Sequence, residues 1–308
     1  MGFSQRTAEP NLDYAIAGAA SGFITRFLCQ PLDVIKIRFQ LQVEPISKCH
    51  ISKYTSVSQA FLLILREEGV FALWKGHIPA QLLSITYGTV QFYSYHVFMK
   101  MIQRIQEIEE WNHSMHFIAG AGAGSMATII SFPFDTVRTR LVAQSSNHQV
   151  YNGVLHSCSL ILRQESPKVF FSGLLPTLLQ IAPHTGLQFA FYEFFTDFYK
   201  RYTSGTNINF YNSMLSGSAA GFIAKTIVYP FDLARKRLQI QGFQHGRKGF
   251  GQFFQCKGLL DCLRVTVKEE GVQGLFKGLV PSQIKAATTS ALHFTVYEQV
   301  LLLLRILQ

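Results

Sequence analysis

Apolar and small residues run in six long stretches, about 12–41, 77–103, 114–143, 174–200, 209–240 and 279–305. None shows the period-two alternation of a strand, and no tight hairpin turn separates them. Each is as long as, or longer than, the roughly 20 residues that cross a bilayer, with an excess that tilt absorbs. Within each successive pair, a polar loop leads to a short amphipathic stretch, about 53–66, 151–164 and 257–269. The pattern predicts an all-α membrane protein with six transmembrane helices in three pairs, each pair joined by a short surface helix.

The three pairs are copies of one unit, and that self-similarity outweighs every other signal. Pro31, Asp33, Lys36 and Arg38 recur as Pro133, Asp135, Arg138 and Arg140, and again as Pro230, Asp232, Arg235 and Arg237. Downstream, Glu68-Gly69 with Trp74-Lys75-Gly76 recurs as Glu165-Ser166 with Phe171-Ser172-Gly173, and as Glu270-Gly271 with Phe276-Lys277-Gly278. From each final glycine the register then holds without a gap. Pro79, Pro176 and Pro281 stand at +3, and Tyr95, Tyr192 and Tyr297 at +19. The repeats divide the chain at 1–110, 111–205 and 206–308, as parts of one structural domain. Glycine pairs four apart, Gly18/Gly22, Gly120/Gly124 and Gly217/Gly221, would let helices approach closely in lipid.

Charges stand inside these stretches. Arg26, Asp33 and Gln40 lie seven apart, hence on one helix face, and repeat three copies them as Lys225, Asp232 and Gln239. Repeat two keeps only part, with Thr128, Asp135 and Val142. A charge at bilayer depth costs about 2.5–3.5 kcal/mol even on the lenient insertion scale, so these groups must face protein, water or a partner. The recurring proline within the same segments predicts a kink in each.

Composition narrows the partners. Charged residues make up 15% of the 308, and the net charge is +10. A basic balance suits nucleic acid, anionic lipid or an anionic solute, but no Lys/Arg block or nucleic-acid motif is present. Cys29, Cys49, Cys158, Cys256 and Cys262 form neither a CxxC pair nor a zinc spacing, so no metal or cofactor is expected. The polar N-terminus, with Arg6 and Glu9, reads neither as a secretory signal nor as an Arg-rich presequence; any organelle address would be internal.

With its threefold Pro-x-Asp-x-x-[Lys/Arg]-x-Arg motif and the Glu-Gly block behind it, the chain resembles the mitochondrial carrier family along its whole length. Ser166 and Ser172 are departures in repeat two. The resemblance implies a monomeric pseudo-threefold bundle in the mitochondrial inner membrane, with short matrix helices and alternating access. It implies a matrix gate of three ion pairs: Asp33 with Arg138, Asp135 with Arg235, Asp232 with Lys36. Gln40 and Gln239 match glutamine braces beneath that ring, and Val142 leaves the third brace missing. A cytoplasmic gate would fall at Tyr95, Tyr192-Glu193 and Tyr297-Glu298. Its basic partners are replaced by Met99, Thr196 and Leu301, so tyrosines would hold it unless Lys100, Lys200 or Arg201 substitute. Anionic lipid, cardiolipin by resemblance, is expected at Lys75-Gly76, Gly173 and Lys277-Gly278, less tightly in repeat two.

Residues that break the threefold pattern should recognise the solute. Arg26 and Lys225 precede their motif prolines by five, and Lys285 follows its glycine by seven, where the other repeats have Leu83 and Gln180. Such cations would make a cavity for a multivalent phosphorylated anion. Ser84, Tyr87, Ile181 and His184 continue along the same helices, and Gln180 beside Ile181 is the pair expected to tune selectivity. Stretches 74–85, 186–189, 236–245, 257–262 and 276–282 resemble the branch of the family that imports thiamine pyrophosphate by exchange. An adenine nucleotide or coenzyme A carrier would need the same cations. A membrane-bound enzyme would need a nucleophile, base or metal set that the motifs do not supply. A non-transporting receptor would have no use for three retained gate pairs.

Overall fold

The computed structural model describes residues 12–43, 52–105, 112–144, 149–203, 210–243 and 255–307. Arg6, Glu9 and Cys49 lie outside them, as does the side chain of His113. Six long helices carry the chain: α1 (Leu12–Leu41), α3 (His77–Ile105), α4 (Asn112–Ala143), α6 (Leu174–Thr203), α7 (Phe210–Gln239) and α9 (Leu279–Leu307). Three short ones, α2 (Val57–Glu68), α5 (Val154–Gln164) and α8 (Leu259–Glu270), sit between the members of each pair. Each is followed by a 3₁₀ turn, at Val70–Trp74, Pro167–Phe171 and Val272–Phe276.

The long helices form a ring. α1 packs along α9, α3 along α4, and α6 along α7. The first long helices of the three repeats, α1, α4 and α7, also meet one another. They do so at their C-terminal ends, where buried Asp33, Asp135 and Asp232 follow the internal prolines Pro31, Pro133 and Pro230. The residue before a motif proline braces the bend in two repeats. Gln30 donates to the Lys75 carbonyl at 2.9 Å, and the Tyr229 hydroxyl to the Lys277 carbonyl at 2.9 Å.

Among the described residues, no helix is both long and apolar enough to be recognised as a membrane span by hydropathy. The helices nonetheless have 29 to 32 residues, hence about 45 Å of length against a hydrocarbon core of about 30 Å. Their average is lowered by glycine, by hydroxyl residues and by charges that converge inside the ring. Large apolar side chains remain exposed along them, among them Phe23, Ile85, Ile118, Phe194, Phe222 and Leu303. So much exposed apolar surface fits lipid rather than water.

The short helices are tied down by hydrogen bonds that repeat. Gln42 and Gln144 each exchange two bonds with the backbone of Tyr54 and Tyr151, at 2.9–3.2 Å. Gln241 donates to the Cys256 carbonyl at 2.9 Å in the third repeat. Gly76, Gly173 and Gly278 adopt φ of 74, 87 and 81°, which lets the chain turn sharply into α3, α6 and α9.

Candidate functional site

The C-terminal ends of α1, α4 and α7 bring three carboxylates into one buried ring. Lys36 Nζ lies 2.7 Å from Asp232, Arg138 2.5 Å from Asp33, and Arg235 2.8 Å from Asp135. Each pair joins neighbouring repeats, because each cation stands three residues after its own carboxylate and is rotated toward the next helix. The Gln40 amide donates to Asp232 at 3.2 Å, and that of Gln239 to Asp135 at 2.5 Å. Val142 is fully buried and offers no such group.

Two further cations join the ring. Lys236 reaches Asp135 at 2.8 Å and also donates to Thr139 and Gln239. Lys285, from α9, reaches the second oxygen of Asp33 at 2.5 Å. Sequence reasoning put Lys285 on the solute and gave Lys236 no role. Nothing in linear spacing brings α9 to Asp33; only the closed ring does.

Arg26 and Lys225 sit about two turns farther from the matrix end. One guanidinium nitrogen of Arg26 donates to the Ala80 carbonyl at 2.9 Å, and Lys225 Nζ to the Ser282 carbonyl at 2.9 Å. A single carbonyl leaves most of the five guanidinium N–H donors, and two of the three ammonium donors, for another acceptor. Two cavities meet at Arg26. One, of about 400 Å³, is lined by Arg26, Ser84, Tyr87, Thr128, Ile181 and Arg235. The other, of about 220 Å³, is lined by Arg26, Asp33, Lys285, Thr289 and His293. Gln180, His184 and Lys225 line neither of the two.

At the opposite end, no hydrogen bond or ring contact joins Tyr95, Tyr192 and Tyr297 to one another among the described residues. The Tyr95 hydroxyl bonds His116 of α4 at 2.7 Å. Among the described residues, Glu193 and Glu298 have no ion-pair partner. Lys200 instead lies 3.5 Å from Asp197 of its own helix.

The matrix ends also hold ion pairs within each repeat that sequence reasoning missed. Arg38 pairs with Glu68 at 2.5 Å, Arg140 with Glu165 at 2.6 Å, and Arg237 with Glu270 at 2.5 Å. Lys75 and Lys277 turn inward to the same glutamates, Glu68 and Glu270. The signal was present: the second motif cation and the Glu of the next block recur together in all three repeats.

Glu68, on the short α2, shows what this pairing does to a carboxylate. Burial pushes its pKa up, but hydrogen bonds and charge from Arg38 and Lys75 outweigh that and hold it at about 2, below its usual 4.5. A depressed pKa contributes stability above the unfolded value that is lost as pH falls through the folded one. The melting temperature of the wild type should therefore fall between pH 4.5 and 2, and Glu68→Gln should flatten that part of the profile. Identical pH profiles for the two proteins would remove Glu68 from the acid response.

Residues 7–106, 110–203 and 206–306 each match the family model for the mitochondrial carrier protein. A human relative, named mitochondrial thiamine pyrophosphate carrier, is 46% identical over 287 residues, covering 92% of this chain and 89% of its own. The mitochondrial thiamine pyrophosphate carrier 1 of Phaeosphaeria nodorum is 39% identical, covering 92% of this chain and 90% of its own. The mitochondrial thiamine diphosphate carrier 2 of Zea mays is 36% identical, covering 93% and 92%. With three matching repeats and a ring of inter-repeat ion pairs, the chain belongs to the mitochondrial carrier family, as a multi-pass protein of the mitochondrial inner membrane.

Proposed function

We propose that this protein imports thiamine pyrophosphate by exchange with other phosphorylated solutes, through alternating access. The observation that carries this reading is the cation excess along the pathway. Five cations, Lys36, Arg138, Arg235, Lys236 and Lys285, surround three carboxylates at the ring, and Arg26 and Lys225 stand beyond it. Low-dielectric walls focus such a field and draw in an anion. The names of the relatives supply the thiamine moiety.

In this reading Arg26, Lys225 and Lys285 take the pyrophosphate. Ser84, Tyr87 and Ile181 line the space for the rings, with Gln180 and His184 beside it. Asp33–Arg138, Asp135–Arg235 and Asp232–Lys36, with Gln40 and Gln239, form the matrix gate. Tyr95, Tyr192 and Tyr297 with Glu193 and Glu298 form the cytoplasmic gate. A paired ring at one end, with no ion pair at Glu193 or Glu298 among the described residues at the other, fits a cytoplasm-facing state. The three repeats act as one unit in a monomer, and solute leaves chemically unchanged, so no catalyst or cofactor is needed.

The test uses Arg26→Gln and Lys225→Gln carriers in liposomes, with thiamine pyrophosphate and thiamine monophosphate competing for uptake. Each variant should lose about tenfold or more in apparent affinity for the pyrophosphate, as expected when a charge-assisted bond worth about 1.5–3 kcal/mol is removed. The monophosphate should lose less, having less charge to lose contact with. Equal loss for both, or none, would take the two residues out of the site.

Anionic lipid, cardiolipin by the family reading, is proposed at the starts of α3, α6 and α9. Lys75 and Lys277 are turned inward, so free backbone N–H groups after Gly76, Gly173 and Gly278 would do the binding. A groove of about 490 Å³, lined by Ser56, Val57, Lys277, Gly278 and Pro281, adjoins the third of these. Adding cardiolipin to the purified protein should raise its melting temperature by several degrees. An unchanged value would refute the site.

A further inference from the structure

The three carboxylates of the matrix ring are not supported alike. Asp232 has Lys36 and the Gln40 amide, and Asp135 has Arg235, Lys236 and the Gln239 amide. Asp33 has Arg138 but no glutamine, because the residue four after Arg138 is Val142. Its free oxygen is held instead by Lys285, 2.5 Å away. The space beside Val142 matches that beside Gln40. A Cβ on Gly76 would stand 3.0 Å from Val142 Cγ2, and one on Gly278 would stand 3.1 Å from Gln40 Cγ. The helix approach that houses a glutamine in repeat one thus persists in repeat two without the glutamine.

We infer that Lys285 is the third brace of the matrix gate, substituting for the glutamine missing at Val142, and that it is the one brace a solute can remove. Gln40 and Gln239 are sealed, with no exposed surface. The Lys285 side chain is 30% exposed and lines the cavity it shares with Arg26, Thr289 and His293. A polyanion lodged against Arg26 therefore competes with Asp33 for the Lys285 ammonium. Once Lys285 is drawn away, Asp33 keeps Arg138 alone, while Asp232 and Asp135 keep their sealed glutamine braces, Gln40 and Gln239. Opening then begins at the seam between α1 and α4. A monoanion competes less well for the ammonium, so gate release is graded by solute charge. The release step rests on the proposed phosphate site; the brace itself does not.

The experiment compares wild type, Lys285→Gln, Val142→Gln and the double variant, by melting temperature without solute and by KM for thiamine pyrophosphate uptake. Lys285→Gln should lower the melting temperature by about 2–4 °C or more, the scale for losing one brace in a chain of this size, and raise KM. Adding Val142→Gln should restore the melting temperature and leave KM raised. Asp33→Asn provides a second route that does not depend on Val142→Gln folding. In that background Lys285→Gln should cause no further fall in melting temperature. An unchanged melting temperature in Lys285→Gln, with KM raised, would overturn the brace and leave the solute site standing. Restoration of both quantities by Val142→Gln would overturn solute release, since Lys285 would then touch only Asp33. Absence of thiamine pyrophosphate uptake by the wild type would refute the proposed solute and leave the melting-temperature comparison intact.

Discussion

Replacing Glu270 with glutamine should remove most folded carrier from the membrane. Glu270 and Arg237 are fully buried, and Lys277, which pairs with the same carboxylate, is 3% exposed. Neutralising the carboxylate leaves two buried cations facing one neutral amide. Breaking a buried pair by losing one partner costs about 3–5 kcal/mol, because the remaining charge stays desolvated. The equivalent residues give a graded series. Glu68 also serves two cations, Arg38 and Lys75, of which Lys75 is 16% exposed, so Glu68→Gln should cost less than Glu270→Gln. Among the described residues Glu165 pairs with Arg140 alone, Ser172 standing where the other repeats have lysine, and its side chain is 23% exposed. Glu165→Gln should be the mildest. Thermal unfolding of the three purified variants checks the order, and a Glu165→Gln protein as damaged as Glu270→Gln would contradict it.

Reversing Asp232 to lysine should abolish most transport, and adding Lys36→Asp should restore part of it. The single change sets a new cation beside Lys36, within reach of the Arg235 and Lys236 charges that already surround Asp135. Two like charges at about 4 Å repel by about 4 kcal/mol at an effective dielectric of about 20. That is enough to shift a two-state equilibrium by about a thousandfold, and alternating access needs both states populated. The double variant restores opposite charges across the α1–α7 contact. Recovery will be partial, because Gln40 is placed to donate to a carboxylate on α7 and not to an ammonium. Only the cycle of single and double variants isolates the coupling. A double variant no better than the worse single one, at matched expression, would show that this pair was assigned wrongly.

The three inter-repeat ion pairs were legible because the threefold motif resembles that of the mitochondrial carrier family; the repeat by itself shows only that three positions are equivalent. The equivalence of Asp33, Asp135 and Asp232 follows from the repeat, and the partner of each, Arg138, Arg235 and Lys36, came from the resemblance. The break at Val142 was legible from the repeat, since Gln40 and Gln239 stand at the equivalent positions; that these act as braces came from the resemblance. Lys285 was read as a solute ligand because it breaks the symmetry of its own helix. Its hold on Asp33 depends on ring closure between the first and last long helices, which no local spacing encodes. The membrane spans were legible from length and pattern and fail a hydropathy average, because Arg26, Asp33, Lys36 and Arg38 share one helix with Phe23 and Phe27. From the sequence, Lys75 and Lys277 are expected to meet anionic lipid. Glu68 and Glu270 claim them in the fold, and only the return of the 3₁₀ turn onto the end of the short helix brings them together.

Exchange in liposomes decides whether this carrier moves thiamine pyrophosphate. Purified protein is reconstituted, the vesicles are loaded with thiamine pyrophosphate, thiamine monophosphate, an adenine nucleotide, coenzyme A or buffer, and uptake of labelled thiamine pyrophosphate is followed. Uptake should be rapid into vesicles loaded with a phosphorylated solute and slight into those holding buffer. Uptake of an adenine nucleotide or coenzyme A with none of thiamine pyrophosphate, or no difference between loaded and buffer-filled vesicles, would contradict it.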